Sequence, residues 1–219
     1  MEDAGYWIEP NVLAEPECDE IIAALSGLLR SRAGARHLMS NPTVAALANS
    51  DRLLRIVRCV LGREAVPFRA TLFEKSATAN WLVVWHQDTV LPLESRFVDS
   101  EWGPWSLKDG VHYAHAPTWA LLRVLALRVH LDASTSENGP LRVIPGSHAL
   151  GVLTDEQVFL IAKREQPIEC TVPRGGVLVM RPLLIHSSSK AQAEEPRRVL
   201  HIEYADRLDL SPSIRLAVA

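Results

Sequence analysis

The chain has 219 residues, 47% hydrophobic and 22% charged, with 23 basic against 26 acidic side chains and a formal charge of -3. That size favours one domain, 1–219, with a real core, and the composition excludes disorder, collagen and coiled coil. The lack of a basic excess argues against nucleic acid as a partner.

Cys18, Cys59 and Cys170 lie far apart and form no CxxC pair, which excludes a disulfide framework or a structural zinc site. The start, MEDAGYWIEPNVL, has no basic then apolar leader pattern, and arginines interrupt TWALLRVLALRVHL before it reaches the ~18 residues of a membrane span. These features read as a reduced, cytoplasmic protein with no membrane partner.

In chain order, Ile21, Ile22, Leu25, Leu28 and Leu29 recur at helical spacing behind Glu17, Asp19 and Glu20, and predict a helix with one buried face. Asn41-Pro42 reads as an N-cap with proline at N1. Ser50 opens a further helix whose Leu53, Leu54, Val57 and Leu61 share a side before Gly62 closes it. Helices over about 16–62 are thus expected to pack on a core. From about Val66 to 206 the texture changes to short β-rich runs, PFRATLFEK, WLVVWH, LALRVHL, LRVIP, IECTV, GVLVM and RRVLHIEY, which predict a mostly β sandwich or barrel.

Residues about 89–119 contain Pro92, Gly103, Pro104, Gly110 and Pro117 and read as a long loop, a candidate lid. Its Trp102, Trp105 and Trp119 either close over a substrate or staple the loop to the barrel. Asn138-Gly139 reads as a hairpin turn, and Pro145 to His148 as a structural turn.

A two-histidine, one-carboxylate iron site needs a His-x-Asp/Glu pair and a distant histidine. Eight histidines and 26 acids give about one such pair by chance; three are present, His86/Asp88, His130/Asp132 and His201/Glu203. Spacing of two on a strand puts both side chains on one face. His201/Glu203 has no histidine downstream, and Asp132 runs into the DASTSENG turn. His86/Asp88 ends the apolar run WLVVW at the mouth of the long loop and is preferred, with His186, at the end of GGVLVMRPLLIH, as the third ligand. Arg197 and Arg198 open the next strand, whose alternation turns one inward and the other out.

Taken together, WHQD at 85–88, NGPLRVIPGSH at 138–148, His186 and Arg197 eleven residues later resemble the phytanoyl-CoA dioxygenase family of iron(II)- and 2-oxoglutarate-dependent oxygenases. The resemblance runs from about Phe68 to Tyr204. It implies a double-stranded β-helix, the cupin-like jelly roll, with flanking helices. It also implies that His86, Asp88 and His186 are the catalytic iron ligands and that Arg197 pairs with the distal carboxylate of 2-oxoglutarate, assisted by Ser188. Arg128 resembles a residue facing the co-substrate, although its strand could equally expose it, and Phe73 resembles one lining the pocket.

The implied reaction consumes 2-oxoglutarate and O2, releases succinate and CO2, and hydroxylates or otherwise oxidises an unactivated C–H of a small molecule. Similar halogenases carry a small residue where this chain keeps Asp88, so hydroxylation is favoured. The alternative is a cupin-like metal-binding protein without oxygenase activity, in which a carboxylate clamp at Arg197 would have no use.

Overall fold

The computed structural model describes residues 3–28, 34–76, 79–193 and 195–219. The chain opens with strand β1 (Tyr6–Glu9), helix α1 (Glu15–Leu25), the short β2 (Gly34–Ala35), α2 (Pro42–Ala48) and α3 (Asp51–Leu61). Asn41 Oδ1 caps α2 by accepting from the amides of Thr43 and Val44, with Pro42 at the first helical position as expected. Cys18, Ile21 and Leu25 form the buried stripe of α1; Leu28 lies past its end, and Leu29 falls outside the described residues.

The β-rich part comprises β3 (Val66–Lys75), β4 (Val83–His86), β5 (Val90–Leu93), β6 (Trp105–Lys108), β7 (Val111–His115), α4 (Thr118–Leu121), β8 (Val124–His130) and β9 (Leu141–Val143). There follow α5 (Asp155–Arg164), β10 (Ile168–Cys170), β11 (Val177–Met180), β12 (His186–Ser188), β13 (Arg197–Ala205), β14 (Asp209–Ser211) and β15 (Ile214–Arg215). The major sheet has the order β1-β11-β8-β13-β3-β2 and the minor sheet β10-β9-β12-β4; all paired strands are antiparallel.

Strands of the major sheet bury both faces: β11 and most of β8 are near-continuous in apolar residues, whereas β3 and β13 alternate, apolar toward the helices and partly charged toward the minor sheet. On one face Ala70, Leu72, Leu125, Leu127, Val129, Leu200, Ile202 and Tyr204 pack under α1, α2 and α3. The Tyr204 hydroxyl donates to Ala48 O at 2.9 Å, tying β13 to the end of α2. Between the sheets the filling is apolar at one end, where Ala126, Leu178 and Met180 meet Leu141, Val143 and Leu184, and polar at the other.

Two expectations are corrected. Residues 89–119 are not a loop: they form the three-stranded sheet β5-β7-β6 and α4, because Leu91, Leu93, Trp102, Ala114 and Leu121 bury themselves with Leu210, Ile214 and Leu216 of the C-terminal strands. Trp102 and Trp105 meet Phe97 edge-on at 5.4 and 5.1 Å, and so staple this segment instead of facing the cavity. Asn138-Gly139 does not close a hairpin, since β8 and β9 belong to different sheets and Gly139 crosses between them. Pro145 to His148 form a turn leading into a short 3-10 segment, as expected. No described helix is long and apolar enough to cross a membrane.

Candidate active site

A cavity of about 300 Å³ opens between the sheets at their polar end. Alternation along β3 turns Arg69, Thr71, Phe73 and Lys75 into it, β8 contributes Arg128, and β13 contributes Arg197 and His201. From the minor sheet come Val83, His86, Leu141, His186 and Ser188, while Asp88 follows β4.

His86 and His186 are directly opposed partners in the β4–β12 ladder, their rings 4.2 Å apart. Each uses Nδ1 to bond the carbonyl two residues back, Val84 O at 2.8 Å and Leu184 O at 2.9 Å. Those bonds turn both Nε2 atoms toward Asp88, at 3.7 Å for His86 and 3.5 Å for His186. The three donor atoms lie within 4.8 Å of one another. Two imidazole nitrogens and one carboxylate oxygen, with backbone carbonyls holding the far nitrogens, are the donor set and the support that a non-haem iron(II) site requires. The residues therefore fit the metal.

Burial pushes His186 down to about 4, against a smaller opposing pull from Asp88, so near neutral pH its Nε2 carries a free lone pair. Burial would raise the Asp88 carboxyl, but His186 and His86 together outweigh it and hold Asp88 well below the ordinary carboxylate range. Asp88 N donates to Pro182 O at 2.9 Å. The buried Gln87 amide donates to Gly151 O and Leu183 O and accepts from Leu153 N, which fixes the turn after β4.

Deeper in, three cations converge. Arg197 is buried and reaches Ser188 Oγ and Ser134 Oγ at 3.5 Å, while Arg198 points outward to a bidentate pair with Asp132. Lys75 Nζ donates to Ser188 Oγ at 2.7 Å and to Ser189 O. Arg128 is buried, not solvent-facing; its guanidinium lies 5.4 Å from the Phe73 ring centre and 3.3 Å from His201 Nδ1. Nε of both Arg128 and Arg197 is buried without a hydrogen-bond partner. Asp88 is the one carboxylate among the described residues lining this cavity, so the deep end has unspent donors and no anion of its own.

The structure thus gathers every candidate residue, His86, Asp88, His186, Arg197, Ser188, Arg128 and Phe73, around one cavity. Sequence reasoning left out Lys75, and it set aside His201 and Glu203, which are buried on the same face of β13 as Arg197. It also missed Arg69, ion-paired to Glu203. Period two, counted from Phe73 or Arg197, would have found Lys75, Arg69, His201 and Glu203.

The family model for phytanoyl-CoA dioxygenase matches residues 1–199. The chain belongs to the phytanoyl-CoA dioxygenase family. It is accordingly an iron- and 2-oxoglutarate-dependent dioxygenase. Relatives that it matches act on small molecules. It is similar to L-proline trans-4-hydroxylase of Streptomyces griseoviridis, 23% identical over 91% of this chain and 82% of that protein. It is also similar to ectoine dioxygenase of Sphingopyxis alaskensis, 31% identical over 71% of this chain but 42% of the relative. The fold matches the crystal structure of EctD from S. alaskensis with 2-oxoglutarate and 5-hydroxyectoine, with a TM-score of 0.70 and 22% identity over 94% of this chain and 73% of that one.

Proposed function

We propose that His86, Asp88 and His186 hold iron(II), and that Arg197 and Ser188, with Lys75 and Arg128 beside them, seat 2-oxoglutarate for hydroxylation of a small molecule. The observation that carries this reading is the pairing of the inward-turned triad with buried cations that have no anion. A barrel that only bound metal would have no use for three cations buried at considerable desolvation cost.

When bound, iron(II) with 2-oxoglutarate and O2 supplies the oxidation: the keto acid becomes succinate and CO2, and one oxygen atom enters a substrate C–H bond. The chain's own residues position and shield. Asp88 and the two histidines would hold the ion through three protein donors and so leave it able to take further ligands. Arg197 offers the two-pronged donor that a carboxylate matches, and its charge persists in a buried site where a smaller cation would titrate. Phe73, Val83 and Leu141 furnish apolar wall in the cavity that the two clusters share.

Anaerobic titration of the iron(II)-loaded protein with 2-oxoglutarate tests this reading. The expected result is a weak visible charge-transfer absorption in the wild type, and in Arg197→Ala a requirement for about tenfold or more 2-oxoglutarate, the loss typical of a buried charged hydrogen-bond pair. No absorption in the metal-loaded wild type overturns it.

A further inference from the structure

The deep end of the cavity has cations enough for a dicarboxylate, yet its outer rim is cationic as well. Arg36, Arg69 and Lys108 all border the cavity on the side of Tyr113. Lys108 Nζ stands 5.0 Å and the Arg69 guanidinium carbon 6.0 Å from the Tyr113 ring centre. The tyrosine is itself fixed: its hydroxyl lies 2.7 Å from His37 Nε2, and the two rings stack at 11°. Arg69 is committed, to Glu203 as an ion pair and to Val90 O through Nη1 at 2.9 Å. Arg36 and Lys108 form no ion pair with a described acid.

Lys108 also lines the adjoining cleft built from residues 86–90 and 152–155, and both openings share His86 and Asp88. It therefore stands where two approaches meet at the triad. Lys108 is exposed, and partial desolvation with the neighbouring charges of Arg36 and Arg69 lowers its pKa, a cost that an incoming anion would relieve. Once 2-oxoglutarate's carboxylate is matched by Arg197, the rim pair remains without a counter-charge. Arg36, Arg69 and Lys108 outnumber Asp88 and Asp155 among the described residues lining the two openings, and a concave mouth with an excess of one sign focuses its field on ligands of the other.

We propose that the substrate of this site bears a carboxylate, held at the rim by Arg36 and Lys108 over the Tyr113 ring, with the carbon to be oxidised directed inward toward Asp88 and the histidines. The inference rests on the metal and co-substrate assignments above and adds the substrate's charge. The volume of about 300 Å³, shared with 2-oxoglutarate, confines the inserted part to a small group.

The test uses Mn(II) in the triad and saturating 2-oxoglutarate, with 4-fluorobenzoate and 4-fluorobenzamide as matched probes of equal shape and different charge. Electron paramagnetic resonance of Mn(II) reports occupancy of the metal site, and broadening of the probe's fluorine resonance reports approach to the ion. The acid is expected to broaden at concentrations about fivefold or more below those the amide needs, a range set by partly solvated ion pairs. Arg36→Ala/Lys108→Ala should erase that preference, and Lys108→Glu alone should abolish or reverse it. Arg55→Ala/Arg58→Ala, which removes the same charge from exposed positions of α3, should keep it.

Equal broadening of acid and amide with Mn(II) bound, or a preference that survives in Arg36→Ala/Lys108→Ala, overturns the rim subsite alone. A wild-type spectrum with no bound Mn(II) overturns the ligand assignment, and the subsite with it.

Discussion

Lys75 ends β3 with its ammonium 1% exposed, close to Arg197 and Arg128. Burial first, then Arg197, Arg128 and Arg142, push its pKa from 10.5 down to about 7. Between those values the unfolded chain binds a proton that the folded chain does not, so this group makes stability rise with pH from about 7 to 10.5, and its penalty is complete below 7. Lys75→Met, which keeps the stem and removes the charge, should therefore raise thermal stability, most at pH 6 and least above 10, as read by melting across pH. The same proton favours a dianion. Wild-type affinity for 2-oxoglutarate should fall as pH rises through 7, and the dependence should flatten in Lys75→Met, measured by titration at pH 6 and 8.5.

At the scale of the element, the family resemblance made Phe73 legible and, with alternation along its strand, Arg197, and the structure shows the same rows continuing to Lys75 and Arg69 on β3 and to His201 and Glu203 on β13. His201/Glu203 was set aside because no histidine follows it to complete a triad; charges alternating with apolar residues also ordinarily mark a solvent face, whereas here the far face is covered by helices. The caps were equally legible, since Asn41 needs only its own next three residues to act. What could not be read was pairing between distant segments. The prolines and glycines of 89–119 report local bends and say nothing of β7 lying between β5 and β6.

Gly139 has the same lesson in one residue: its positive φ of 67° was signalled, but not the strand it crosses to. A Cβ there would stand 2.4 Å from Ser189 O, a backbone atom that cannot swing away. Gly139→Ala should cost about 1–3 kcal/mol in denaturant titration, from strain plus displacement of the Ser188–Ser189 segment. Because Ser188 Oγ donates to Gly139 O at 2.8 Å, 2-oxoglutarate affinity should fall with it.

For the whole molecule, the site lies between the two sheets, which meet there through the bonds of Lys75 and Arg197 to Ser188 and beside buried donors of Arg128 and Arg197 that no described group satisfies, so ligands should act on global stability. With metal and 2-oxoglutarate each at a hundredfold excess over its dissociation constant, mass action adds about 2.7 kcal/mol per ligand, roughly 5–10 °C for a chain of this size. Calorimetry should resolve the two increments. Asp88→Ala should lose the metal increment and, with it, the second; Arg197→Ala should cut the 2-oxoglutarate increment alone, to about 1.4 kcal/mol or less.

Strand β4 is the outermost of the minor sheet, and its one neighbour, β12, is three residues long. Val84, two residues before His86 on β4, is two-thirds exposed. On the proposed ligand set, an ion shared by His86 and His186 rivets this border strand to the body of the sheet. Stripping it by chelation leaves a frayed hem with open amides and bare valine, the kind of edge on which a second copy adds as another strand. Catalytic competence and colloidal stability would then be guarded by the same two imidazoles, and storage without metal would lose both together.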